Sequence, residues 1–379
     1  MKITFPHMGN IYLGAKALFD GLGVDYIIPP QNSKSALEIG SLYSPEEMCI
    51  PFKIMIGNYI QAIEQGADTI IIPGSCGPCR FGEYCEMQMI LLKKLGYNLD
   101  FIVIDAPTDI GIKELYNRIL KVSSVSNKPK YKKIKSLLYA VKVTNLIDEI
   151  EASSHNFAGY EKINGECKNI LNKCKEDAFK CSDPKEMIKI LIYYKEKINH
   201  VSIDINKEPL KIALIGEIYT VIEPFANMYI EDKLMSYGVS TKRHLTPSWW
   251  IKNTALLPTK LNSLNIKRSA KNYLSLNIGG HAMECIGEAV LAHDEGYDGA
   301  IQIFPMGCMP EIVSKSILPN ISKDKDFPIM SLVVDEMTGE AGYVTRIEAF
   351  VDLLERRRNN VLSRSWCWFS KHWFSSIRQ

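Results

Sequence analysis

The feature that most constrains this chain is a pattern stated twice. Residues 49–76 read Cys49-Ile50, a stretch with helical apolar spacing, Gly66-Ala67-Asp68, an apolar run, then Pro73-Gly74-Ser75-Cys76. Residues 285–308 read Cys285-Ile286, a second helix-like stretch, Gly296-Tyr297-Asp298, another apolar run, then Pro305-Met306-Gly307-Cys308. The cysteines lie 27 residues apart in the first copy and 23 in the second. A helix feeding a short, wholly apolar strand is the unit from which buried parallel sheets are made. The chain therefore reads as two lobes built to one plan, by duplication or by chance likeness between two βαβ units.

The surrounding rhythm agrees. Strand-like runs at 2–5, 25–28, 69–72 and 101–105 alternate with helix-like stretches at 12–23, 48–65 and 86–95. The same alternation restarts with strands at 210–216, 239–244, 300–304 and 331–334. Helices are expected from the end of the 210–216 strand to residue 237, at 283–295 and at 348–355. The expected fold is α/β, with two Rossmann-like parallel-sheet lobes at 1–120 and 209–355. Between them, 121–208 is rich in lysine and poor in glycine, and 136–151 and 187–200 have helical spacing. This segment reads as a helical insertion, and 356–379 as a basic aromatic tail with Trp366, Phe369 and Trp373 spaced i, i+3, i+7.

The chemistry concentrates where the first apolar run ends. Cys76, Cys79 and Cys85 are spaced C-x2-C-x5-C on a glycine- and proline-rich loop at the carboxyl end of a strand, where open α/β sheets place ligands. A bound metal or iron–sulfur cluster, a redox dithiol and inert buried thiols are the three readings. Cys49 stands just before Pro51 and Cys308 just before Pro310, so both read as helix starts, where the dipole favours a thiolate. Thiols from both lobes converging on the cleft between them would suit a cluster better than a single ion. Cys167, Cys174 and Cys181 recur every seven residues, about 10 Å apart on a helix, too far to share one ion. They read as a packed stripe. His281, Glu46, Glu47, Arg80 and Arg346 are weaker candidates, each with an ordinary structural role as the alternative.

Composition removes several classes. A net charge of +2 gives no global field for nucleic acid, and no apolar run reaches the length of a membrane span. The N-terminus lacks the apolar core of a signal peptide, so a cytoplasmic location is expected, where ten cysteines favour thiolate chemistry over disulfides. The pairs Gly9/Gly14 and Gly21/Gly23 do not make a dinucleotide fingerprint, and there is no phosphate-binding P-loop. The lysine run at 128–135 reads as a solvated surface or a dock for an anionic partner.

At Glu46-Glu47-Met48-Cys49-Ile50-Pro51-Phe52-Lys53, Gly77-Pro78-Cys79-Arg80-Phe81-Gly82 and Gly307-Cys308-Met309-Pro310-Glu311, the chain resembles a known family. It looks like the proteins related to 2-hydroxyacyl-CoA dehydratase subunits and their activases, over about residues 1–355. The resemblance implies two Rossmann-like lobes with a [4Fe-4S] cluster between them, held by three cysteines with one iron site open. It implies an ATP-hydrolysing activase partner that supplies single low-potential electrons. The ligands it implies are Cys49, Cys79 and Cys308, with Cys76 close behind. Cys85 and Cys285 are additional, and all six could hold a double cubane. The expected function is low-potential electron transfer in concert with the activase. A subunit of a 2-hydroxyacyl-CoA dehydratase acting on an acyl-CoA or other small molecule, and a zinc-stabilised scaffold, are the alternatives.

Overall fold

The apolar runs pair in parallel, as the repeated pattern requires. The computed structural model describes residues 1–74, 84–104, 107–256 and 263–376, with side chains through residue 359 except at 73 and at scattered positions in 107–120 and 255–256. In the first lobe, β1 (Ile3–Thr4) is followed by α1 (Ile11–Leu22), α2 (Lys34–Tyr43) and α3 (Ile50–Glu64). Then come β2 (Thr69–Pro73), α4 (Tyr84–Lys94), β3 (Asp100–Ile104) and α5 (Pro107–Ser124), the strands lying in the order β1-β2-β3. α3 is buried along nearly its whole length, including Phe52, Ile54, Ile56 and Tyr59. Each such fully buried side chain contributes about 1.5–3 kcal/mol.

Three helices follow, α6 (Lys130–Phe157), α7 (Glu166–Lys180) and α8 (Pro184–Asn199). They do not stand apart from the first lobe. Cys167, Ile170, Leu171, Cys174 and Ala178 form the buried stripe of α7, and they share a core with Leu13, Ala17 and Phe19 of α1. The cysteine heptad is thus a packing stripe, with burial raising the Cys174 thiol to about 12.

The second lobe runs β4 (Lys211–Gly216), α9 (Ile218–Ile222), α10 (Ile230–Ser236), β5 (Ser240–Arg243), α11 (Pro247–Leu256) and α12 (Leu264–Ala270). It continues through α13 (Ala282–Asp294), β6 (Gly299–Pro305), α14 (Met309–Asp324), β7 (Ile329–Val334) and α15 (Glu340–Ser376). Its sheet has the order β5-β4-β6-β7, and all its pairings are parallel. The two sheets confirm two Rossmann-like α/β lobes.

Several expectations need correction. The strand at 25–28 is one parallel bridge, Ile3 to Tyr26, because Pro29 and Pro30 follow and lack the donors a ladder needs. The helix expected up to residue 237 is two short helices, parted by Pro224 and by positive φ at Met228 and Tyr229. The last helix spans Glu340–Ser376, not only 348–355. Two of its arginines lie against the lobe, Arg357 pairing with Asp326 and Arg358 with Asp298, while Arg356 pairs with Asp352 one turn back in the same helix. The side chains of Trp366, Cys367, Phe369 and Trp373 lie outside the described residues. Among the described residues no helix is long and apolar enough to cross a membrane.

A buried ionic network ties the helical segment to the second lobe. Arg243, at the end of β5, pairs with Glu151 of α6 and Glu231 of α10. Lys175 joins Glu151 at 2.7 Å, and His155 joins Glu231 at 2.8 Å. Burial alone would raise the Glu151 carboxyl, but Lys175 and Arg243 outweigh it and hold the group well below the usual carboxylate range.

Candidate functional site

Each sheet has one point where successive strands are added on opposite sides. In the second sheet β4 lies between β5 and β6, so the loops leaving β4 and β6 diverge and open a crevice at the carboxyl edge. In the first, β1 bridges Tyr26 on one side and pairs with β2 on the other. Its crevice lies beyond the ends of β1 and β2, where the loop carrying Cys76 and Cys79 begins.

The two crevices abut. Beyond β1, the His7 carbonyl accepts from the Tyr219 hydroxyl at 3.4 Å, and the Gly9 N–H donates to the Glu223 carboxylate at 2.8 Å. Tyr219 and Glu223 belong to the segment that leaves β4. Asn32 Nδ2 donates to both the His7 carbonyl, at 3.0 Å, and the Tyr219 oxygen, at 3.2 Å. One apolar core runs across this seam, joining Ile50, Phe52 and Tyr59 to Tyr219, Ile222 and Ile303.

A second clamp crosses the seam at Lys53 and Glu336, which form an ion pair. Lys53 lies one turn after Cys49, and Glu336 follows the end of β7. Met306, leaving β6, donates its N–H to the Val334 carbonyl at 2.9 Å, and the Cys308 N–H donates to the Pro305 carbonyl at 3.1 Å. Bonded neighbours thus run from Cys308 through Val334 and Glu336 to Lys53 and Cys49.

Cys49 and Cys308 have the same local structure. Each is the residue capping a helix N-terminus, with extended backbone and proline at the second helical position. Each is half-buried. The unpaired N–H groups of α3 and α14 favour negative charge there, which is the state a soft-metal ligand needs. The Cys49 sulfur meets the Tyr84 hydroxyl, and the Tyr84 ring packs edge-on against Phe52 at 5.0 Å. Tyr84 therefore pins the far end of the thiol loop to the start of α3. At the near end, the Gly74 N–H donates to the Ile104 carbonyl at 2.9 Å. Cys76, Cys79 and Arg80 lie outside the described residues.

The remaining cysteines differ. Cys85 is buried in the core beside Tyr84. Cys285 does not repeat the position of Cys49: it lies one turn inside α13, with no exposed surface. Burial and the neighbouring Glu311 push its thiol well up. Glu311 is itself buried, raised to about 7 mainly by burial, and accepts from Gln302 Nε2 at 2.9 Å. His281 caps α13 near the Trp249 ring, and burial lowers it to about 4, so the ring is neutral at pH 7. Arg346 donates to the Ser331 carbonyl at 2.7 Å and braces β7. Glu46 and Glu47 are exposed, and the Glu46 carbonyl accepts from Lys53 at 3.1 Å.

Sequence reasoning passed over Lys53, Tyr84 and Glu336. A lysine amid the apolar residues of α3 was the available signal, since a charge in such a stretch needs a partner. Among the described residues no group of three His, Cys, Asp or Glu side chains could hold a metal ion. Cys49 and Cys308 are thiols at helix N-termini of the two lobes, where the helix dipole favours the thiolate form that a soft metal binds.

A family model described as the CoA enzyme activase uncharacterised domain matches residues 7–244. That span covers the first lobe from the end of β1 onward, the helical segment and the start of the second sheet. No curated protein matches the chain.

Proposed function

Because the chain belongs to the CoA enzyme activase uncharacterised domain family, we propose that its role in CoA enzyme activation is to hold an iron–sulfur cluster in the seam between its lobes. Cys49, Cys79 and Cys308 would be ligands, with Cys76 as a fourth and Cys85 and Cys285 as lesser candidates. A [4Fe-4S] cluster would supply a low-potential one-electron carrier, or two linked cubanes if all six thiols ligate. The observation that carries this reading is the matched pair, Cys49 and Cys308, each capping a helix at facing sheet edges. Helix N-termini stabilise the thiolates, the apolar core across the seam limits water, and the Tyr84 hydroxyl lies in hydrogen-bond contact with the Cys49 sulfur, where it would donate to a thiolate. The chain has no P-loop, so ATP hydrolysis belongs to an activase partner that delivers the electrons.

Anaerobic purification tests the reading. The wild-type protein should be brown, with iron and acid-labile sulfide, and Cys49→Ser, Cys79→Ser or Cys308→Ser should remove most of the iron. Cys174→Ser, in the packed stripe, should keep it. A colourless protein with stoichiometric zinc and no sulfide would overturn the proposal.

A further inference from the structure

The α6 helix has two apolar faces, and only one is used. Its buried face, including Ser136, Ala140, Val143 and Ile147, packs inward. On the opposite side Tyr131, Ile134 and Leu138, spaced i, i+3, i+7, are 66%, 62% and 63% exposed, and Val141 continues the line half-buried. An ordinary surface helix places polar residues there.

The charge around this apolar line is one-sided. Between residues 121 and 142 there are seven lysines and no acidic residue, on a chain whose net charge is only +2. Among the described residues only Lys121 has a carboxylate partner, Asp100 at 3.8 Å. Lys128 and Lys133 turn inward to backbone carbonyls, those of Gly21 and Ser123. Lys130, Lys132, Lys135 and Lys142 are exposed beside this line.

We infer that this face of α6 binds an anionic lipid bilayer surface. The apolar line enters the headgroup boundary while flexible lysine stems keep their ammonium groups among the lipid phosphates. The composition favours a lipid surface over a protein groove. The charges are all lysine, point charges on long stems, without the arginine forks and tryptophan anchors of protein hot spots. The location agrees. Lys128 binds the last turn of α1, which runs back from the carboxyl edge of the first sheet, so the exposed apolar line of α6 lies at the far end of that lobe and stays accessible.

Cosedimentation of the full-length protein with vesicles tests this. It should bind phosphatidylcholine vesicles containing about one-third phosphatidylglycerol, should release at high salt, and should not bind phosphatidylcholine alone. Each lysine near such a surface contributes about fivefold, so Lys130→Glu/Lys132→Glu/Lys135→Glu should weaken binding more than about a hundredfold. Ile134→Glu/Leu138→Glu should abolish it, with the far-ultraviolet circular dichroism and melting temperature of both variants unchanged because every substituted site is exposed. Equal binding to neutral vesicles, or wild-type binding by either variant, would overturn the inference. So would a wild-type dimer that Ile134→Glu dissociates, or crosslinking from residue 134 to a protein and not to lipid.

Discussion

The Lys53–Glu336 pair should fail unequally depending on which partner is removed. The Lys53 side chain is 3% exposed, whereas Glu336 is 32% exposed. Glu336→Gln leaves a buried ammonium with the Glu46 carbonyl and an amide oxygen as its remaining acceptors. An uncompensated buried charge costs about 3–5 kcal/mol, and with those two acceptors kept the loss should be ~3 kcal/mol. Lys53→Met leaves a carboxylate that water can reach, while the methionine keeps most of the packing. That loss should be ~1 kcal/mol. The double variant should match Lys53→Met, a coupling of ~3 kcal/mol. Urea unfolding at neutral pH measures all three, and the difference is a large share of ordinary domain stability. If Lys53→Met proves as costly as Glu336→Gln, the argument from unequal burial is wrong.

Burial raises the Asp148 carboxyl to about 6 from its usual 3.8, against the Ser248 N–H that donates to it at 2.7 Å. The folded protein therefore binds that proton more tightly, so stability should fall by ~3 kcal/mol as pH rises from about 4 to about 6 and then level off; Asp148→Asn should remove that step from a plot of melting temperature against pH. Gly9→Ala places a Cβ 2.7 Å from the Ile222 carbonyl oxygen at a residue with φ of +49°, and urea unfolding should show a loss of ~2 kcal/mol or more, a change below ~0.5 kcal/mol meaning that the seam yields. In metal-free protein, iodoacetamide followed by peptide mass mapping should label Cys49 and Cys308 before Cys285, whose thiol is fully buried and raised; early labelling of Cys285 would contradict the packing described.

What was legible in the sequence was whatever local pattern alone determines. Buried parallel strands must be apolar throughout, so β2, β4, β6 and β7 stood out as runs. The heptad of cysteines showed its packing role because Cys167 and Cys174 repeat on one face of α7 and Cys181 caps it, all three buried in one core. The misreadings arise where the deciding contact is distant. α2 has little signal of its own, yet it crosses α3 closely because Gly40 faces the Lys53 carbonyl and Gly57 faces the Ala36 carbonyl, with no room for a Cβ at either. The ionic network around Arg243 joins residues from α6, α7, α10 and β5, and no window of sequence contains it.

The repeated cysteine pattern joins both kinds of information. Its outline was right, since each copy is a helix followed by a parallel strand ending in proline. Its alignment was misleading, because Cys285 occupies the same place as Cys49 in the pattern but lies inside a helix with Glu311 beside it. The structural counterpart of Cys49 is Cys308, 259 residues away, and the shared sign is shorter than the repeat: cysteine, any residue, proline. In both places proline at the second helical position removes an N–H that would have no acceptor, leaving the thiol with the positive end of the helix. Facing carboxyl edges then do what sequence spacing cannot. They turn two local helix starts, encoded far apart, into parts of two lobes held together by the His7–Tyr219 hydrogen bond and the Lys53–Glu336 ion pair.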